Sequence, residues 1–232
     1  MKRRSRITLI ASAVIAVAAI AAASALADVI EGTDGDDDLI GTPRDDLIAA
    51  KAGNDRVMAL AGDDAVRAAA GNDTVFGNSG RDRIGGGADN DTLDGGQDAD
   101  LVYGQDGNDI VIGGDGGDLL RGRAGDDFVR GGHGADLVFA GTGIDEIHGG
   151  RGDDVMFAVA QRDAQVEGGD TLRGGRDHDV LHANDGESDD VNCGRGRDEA
   201  IVDLHDLDHV RNCELIIQRA PSDRESDQEN AA

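Results

Sequence analysis

Apolar residues in most of this chain recur at one fixed interval. From Leu39 to Met156 an aliphatic or methionine side chain stands at every ninth position: Leu39, Ile48, Val57, Val66, Val75, Ile84, Leu93, Val102, Val111, Leu120, Val129, Val138, Ile147 and Met156. Two places before each stands an aspartate: Asp37, Asp46, Asp55, Asp64, Asp73, Asp82, Asp91, Asp100, Asp109, Asp118, Asp127, Asp136, Asp145 and Asp154. Counted from Gly32, these form fourteen unbroken nine-residue repeats ending at Phe157, with Gly at position four in eleven and at position one in ten. A helical face would space its apolar residues three and four apart. A nine-residue beat broken by Gly, Asn and Asp predicts short strands joined by tight turns.

Positions seven to nine suffice for a short strand, whose period of two turns position eight to one face and seven and nine to the other. Only position eight is uniformly apolar, so it points inward, and positions one to six supply the turn. Two repeats then make a coil of eighteen residues, and strands of repeats n and n+2 stack in parallel about 4.8 Å apart. The expected fold is all-β, a parallel β-roll with two sheets and a thin aliphatic core over residues 28–157. With 36 glycines, four Phe, one Tyr and no Trp, the chain lacks the large side chains of a thicker core.

The stretches "GGDGGDLLR" (113–121) and "GGHGADLVF" (131–139) match every fixed place of GGxGxDxUx, and the chain resembles the hemolysin-type calcium-binding (RTX) repeat family. The roll geometry also poses an electrostatic problem of its own. Carboxylates of position six in successive turns stack on one edge, joined by acids at position five such as Asp36, Asp45, Asp63, Asp126 and Asp153. Two unit charges about 5 Å apart repel by roughly 3 kcal/mol at an effective dielectric of 20. Repeated along two edges, that exceeds the stability of a domain. A hard divalent cation reverses the sign, and turns that expose carbonyls between carboxylates suit Ca²⁺ better than Mg²⁺. Folding is then expected to be coupled to binding several calcium ions.

The resemblance implies that each ion sits between successive turns, held by the position-six Asp of two repeats and by turn carbonyls. Asp109 would pair with Asp91 and Asp127, and Asp118 with Asp100 and Asp136. Asp170 and Asp179, each two residues before a leucine, extend the set of candidate metal ligands. About twelve inter-turn sites is the upper count. Ala50, Ala59 and Ala68, followed by Lys51, Leu60 and Ala69, depart from the preferred Gly-Gly, and Arg44, Asp89 and Asp98 replace Gly at position four.

After Phe157 "AVAQRDA" (158–164) reads as an insertion, followed by degenerate repeats and a closing element over 165–218. "DDVNCGRGRDEAIVDLHDLDHVRNCELI" resembles the terminal element of calcium-repeat proteins of actinobacterial type. Cys193 and Cys213, the only cysteines, are expected to form a disulfide in an exported chain. Residues 219–232 are polar and expected to fray. Leu101, Tyr103, Leu119, Leu137, Phe139, Val155 and Phe157 occupy outward places on neighbouring rungs of one sheet, a candidate interface. Cover by the insertion and the closing element is the first expectation there, with a partner protein or self-association as the alternative.

Lys2, Arg3, Arg4 and Arg6, the apolar run Ile7–Ala23 and Ala25-Leu26-Ala27 read as a secretory signal peptide over 1–27. Twin-arginine export and a retained membrane anchor are the alternatives. All 48 acids lie beyond it, as do 18 of the 22 Lys and Arg, which leaves −30 for the remainder. Such a field excludes nucleic acid as an expected partner. "DGDDD" (34–38) has Leu39 where a helix-loop-helix calcium loop requires Gly, His205 and His209 have no accompanying ligands, and no catalytic constellation is visible. The expectation is a secreted, non-enzymatic calcium-binding protein with a structural or adhesive role at a cell surface, in contact with cell envelope or polysaccharide. An accessory or secretion module of an enzyme system and a calcium sensor or buffer are the alternatives.

Overall fold

A computed structural model of the protein describes residues 27–158, 169–203 and 209–219. The predicted signal peptide apart from Ala27, the insertion apart from Ala158, His205, and the tail apart from Arg219 lie outside the described residues.

Among the described residues there are 21 strands and no helix. They form two parallel sheets of eleven and ten strands, and successive strands alternate between them. The eleven-stranded sheet runs from Asp28–Glu31 to Leu215–Arg219, and the ten-stranded one from Asp38–Ile40 to His209–Arg211. This is the parallel β-roll predicted from the beat. Register follows the repeat: Val111 pairs with Leu93 and Val129, and Leu120 with Val102 and Val138. Register also survives the irregular end, where Ile147 pairs with Leu172 and Leu172 with Val191. The extra residues therefore leave the pairing of the described strands unchanged.

Every position-eight side chain from Ile48 to Leu181 is buried, and the row forms one continuous core. The strands are longer than the three residues expected. Ile110–Asp115 is typical: six residues that continue through position three of the next repeat, so the turn shrinks to positions four to six. Pairing continues because position two tolerates a positive φ within the strand, at Gly114 (120°) but also at Lys51 (90°), Leu60 (87°) and Arg123 (88°). Alternation then turns position one inward as well. That position admits only a small residue: a β-carbon on Gly104 would collide with Asp109 Oδ2 and stand 2.8 Å from the Gly122 carbonyl oxygen. Ala50, Ala59 and Ala68, departures from the repeat pattern, are fully buried there and add methyl groups to the core.

Cys193 and Cys213 are disulfide-bonded, with Cα atoms 5.2 Å apart. Cys193 is inward at position one of its rung. The described part of the closing element does not fold back over the outer face: Glu199–Asp203 and Leu215–Arg219 stack as further rungs on the end of the roll. Parallel pairing with the preceding strand satisfies their backbone, which an excursion over the face would not.

Candidate metal-binding edges

Each position-six aspartate closes its turn by two kinds of bond. Its carbonyl accepts the first N–H of the strand one coil later, as in Phe128 N to Asp109 O at 2.8 Å. Its Oδ1 accepts the N–H of the aspartate one coil earlier: Asp91 N to Asp109 at 2.8 Å, Asp109 N to Asp127 at 2.8 Å, Asp100 N to Asp118 at 2.8 Å and Asp118 N to Asp136 at 2.9 Å. Two uninterrupted chains of carboxylates result. One passes through Asp46, Asp64, Asp82, Asp100, Asp118, Asp136, Asp154 and Asp179, and the other through Asp37, Asp55, Asp73, Asp91, Asp109, Asp127, Asp145 and Asp170. The sixteen residues singled out in the sequence are thus brought together, eight on each edge.

The chains run on past them. Asp170 N–H donates to Asp189 Oδ1 at 2.7 Å, Asp179 N–H to Asp198 Oδ1 at 3.0 Å, and Asp198 N–H to Glu214 Oε2 at 2.8 Å. Glu214 was missed because it follows Asp198 by sixteen residues, and Asp189 and Asp198 because one extra residue before Asp189 shifts the beat. Their signal was present in "DDV" (189–191) and "DEA" (198–200), an acid two places before an apolar residue.

The second oxygen is the informative one. In thirteen of the sixteen predicted aspartates Oδ2 is buried and has no hydrogen-bond partner. The exceptions have local reasons at the start of the roll, where Thr33 N–H donates to Asp37 Oδ2 at 2.5 Å and Thr42 N–H to Asp46 Oδ2 at 2.6 Å. The third, Asp170, joins Asp185 and Asp189, whose carboxylates each bring one oxygen within 4.8 Å of the others. Asp185 belongs to the ten-residue repeat that carries the extra residue.

Burial without a donor is costly for an anion, and the titration shifts follow. Burial, reinforced by neighbouring carboxylates and opposed by the bond from the preceding aspartate N–H, pushes Asp64, Asp91, Asp100, Asp127, Asp145 and Asp179 up to about 7. Asp154 and Asp170 rise to about 8, and Asp73, Asp82 and Asp136 to about 6. A strand carbonyl also stands near such oxygens: the point a Gly104 β-carbon would occupy lies within reach of both Asp109 Oδ2 and Gly122 O. Buried anionic oxygens without hydrogen-bond partners are donors that suit a hard divalent cation.

The profile of the RTX calcium-binding nonapeptide repeat (4 copies) matches in overlapping segments over residues 23–163 and again over 166–199. The chain belongs to this family. A search of curated proteins returns no match. Membership fits the residues: nonapeptide repeats of the RTX kind bind several Ca²⁺ ions, and this roll has a matching aspartate in each turn from Asp37 to Asp154. Bound there, Ca²⁺ supplies the positive charge that the paired edges lack. Oδ2 of the thirteen orphaned aspartates, the Asp170–Asp185–Asp189 group and the turn carbonyls are the atoms of this chain that would hold it.

The candidate interface is less open than the sequence suggested. Phe139 and Phe157 retain only 4% and 7% exposure and pack with Leu119, Leu137 and Val155, while Leu101 and Tyr103 are half-buried. Arg121, missed because only apolar outward places were counted, is 2% exposed and lies 5.5 Å from the Tyr103 ring centre and 5.2 Å from that of Phe139. With Phe157 stacked on Phe139 at 4.9 Å and His182 on Phe157 at 4.2 Å, one ring or guanidinium occupies each of five rungs.

Proposed function

We propose that this RTX roll is a secreted, non-enzymatic calcium-binding protein that folds when it meets extracellular calcium and serves as a structural or adhesive module at a cell surface. The observation that carries the reading is the row of buried, partnerless Oδ2 atoms on both edges. Without cations these carboxylates must either take up protons or repel one another across each coil. Extracellular calcium meets that demand, and the folded roll offers two broad outer faces to a surface or partner.

The signal-like segment at 1–27 and the disulfide support export to an oxidising compartment. The thirteen position-six aspartates with an unpartnered Oδ2, from Asp55 to Asp154 and Asp179, act as shared ligands between coils, with Asp170 beside Asp185 and Asp189. Equilibrium dialysis of the secreted chain against ⁴⁵Ca²⁺ at neutral pH tests this. Several ions retained per chain, in preference to Mg²⁺, is the expected result; no retained calcium at millimolar concentration would overturn it.

A further inference from the structure

Position two of the repeat faces outward on the ten-stranded sheet, and on six consecutive rungs it has no side chain. Gly96, Gly114, Gly132, Gly150, Gly175 and Gly194 are in direct register. These six hold φ of 103–125°, where a β-carbon would meet the carbonyl of the rung before, so glycine suits the backbone there; the earlier rungs of the column differ. Leu60 and Asn78 occupy the same column two and one rungs earlier with φ of 87° and 76°, and Lys51, Gln105 and Arg123 occupy its counterpart on the other sheet. The glycines floor a trench along the roll axis that spans about 24 Å at about 4.8 Å per rung.

The two walls are not alike along their length. Towards the N-terminus they form a groove of about 580 Å³ lined by Phe76, Asn78, Asp94, Gln97, Arg130 and His133. Beyond His133 the position-three wall is Arg151, Arg176 and Arg195, paired rung to rung. Like charges opposite one another destabilise a sheet. All three are exposed, and none has an ion-pair partner among the described residues, nor does Arg130. Glu146 and Asp190 on this face are already paired, with Arg173 and Arg211 respectively, and Asp177 accepts Gly152 N–H. In a chain of net charge −26 a column of three unpaired arginines is the reverse of the surrounding composition.

We propose that this trench binds an acidic glycan strand laid along the roll axis, with carboxylate or sulfate groups against Arg151, Arg176 and Arg195. The guanidinium fork matches both anions in bidentate geometry. Amides, two carboxylates (Asp94 and Asp115, the latter bonded to His133) and one aromatic face at the other end suit hydroxyl-rich rings. A bilayer surface is too flat to enter a trench one residue wide. Nucleic acid would combine a denser charge with bases for which this wall offers only one aromatic residue. The inference rests on the folded roll of the proposed function and names the partner class of its adhesive role.

The test uses the calcium-loaded chain and immobilised polygalacturonate and dextran sulfate, with neutral dextran as control. Binding to both anionic polymers and not to dextran is expected. The triple variant Arg151→Glu/Arg176→Glu/Arg195→Glu should weaken it by about tenfold or more while the calcium-induced circular dichroism change stays as in the parent. Arg151→Gln/Arg176→Gln/Arg195→Gln, which removes the charge while keeping polar side chains on the wall, should weaken it comparably. A parent that folds with calcium but binds neither polymer overturns the glycan proposal alone, as does undiminished binding by both variants, which would indicate bridging by calcium. Equal or tighter binding of single-stranded DNA or anionic phosphatidylserine vesicles also overturns it. A parent that shows no calcium-dependent folding removes the underlying reading and this proposal with it.

Discussion

The two edges of the roll differ at position five and agree at position six. On the edge of Asp109, position five is an Asx ladder: Asn54, Asn72, Asn90 and Asn108 lie between Asp36 and Asp126, and each Oδ1 from Asp36 to Asp126 accepts the N–H of the next coil, at 2.7–3.1 Å. On the edge of Asp118, the same place begins as Asp45, Asp63 and Arg81, then becomes Ala99, Gly117 and Ala135. Yet on both edges position six is an aspartate whose carboxyl is raised to about 6 to 8 in most rungs. The difference teaches that position five is an interchangeable hydrogen-bonding accessory. Position six carries the charge problem, and its solution is common to both edges.

The largest expected effect tests that equality. Asp109→Ala and Asp118→Ala should each destabilise the calcium-loaded roll by about 3 kcal/mol in urea denaturation, because each removes a buried anion shared by two coils. A tolerant edge beside a sensitive one would break the comparison. Of similar size is reduction of Cys193–Cys213, which closes a span of 20 residues and ties the last two rungs of the ten-stranded sheet; it should cost about 3 kcal/mol by the chain-entropy estimate.

Next comes pH, measured in excess chelator. Folded pKa values of about 6 to 8 lie above the ordinary carboxylate value of 3.8, so between them the folded state holds more protons than the unfolded state. Stability from this source is complete below about pH 4, and is lost as pH rises through 6 to 8. The calcium-free chain should therefore be more resistant to urea at pH 5 than at pH 8, and calcium should reverse that order.

The smallest effects separate the positions. Asn72→Ala should cost about 1 kcal/mol and leave calcium binding unchanged. Ala135→Asn, which offers the other edge an acceptor it lacks, should stabilise by no more than about 1 kcal/mol. Loss of calcium ions on replacing Asn72 would make position five a ligand and erase the distinction.

The regular part of the fold was legible because a nine-residue beat has only one way to keep fourteen aliphatics on one side of short strands. Leu120 as core and Asp109 opposite Asp91 and Asp127 follow from that arithmetic. What escaped depended on neighbours one coil away. The inward turn of position one appears only once strands reach six residues, which recasts Ala50, Ala59 and Ala68 from defects into core. The Asx ladder pairs residues eighteen apart, so Asn72 alone looks like an ordinary turn residue. Arg121 was overlooked because a charge at an outward place ordinarily faces water, whereas here it stacks between Tyr103 and Phe139. Asp189 and Asp198 were hidden by a single extra residue that the strands on either side ignore, and Glu214 by a spacing of sixteen from Asp198.

The central claim is that cations, and not the aliphatic core alone, allow the two carboxylate edges to stack. Far-ultraviolet circular dichroism of the disulfide-intact chain at about pH 7.5, titrated with calcium from excess chelator, tests it most directly. A disordered spectrum in chelator that converts cooperatively to a β-rich one as calcium is added is the expected result. A full β spectrum in chelator, unchanged by calcium, would contradict it.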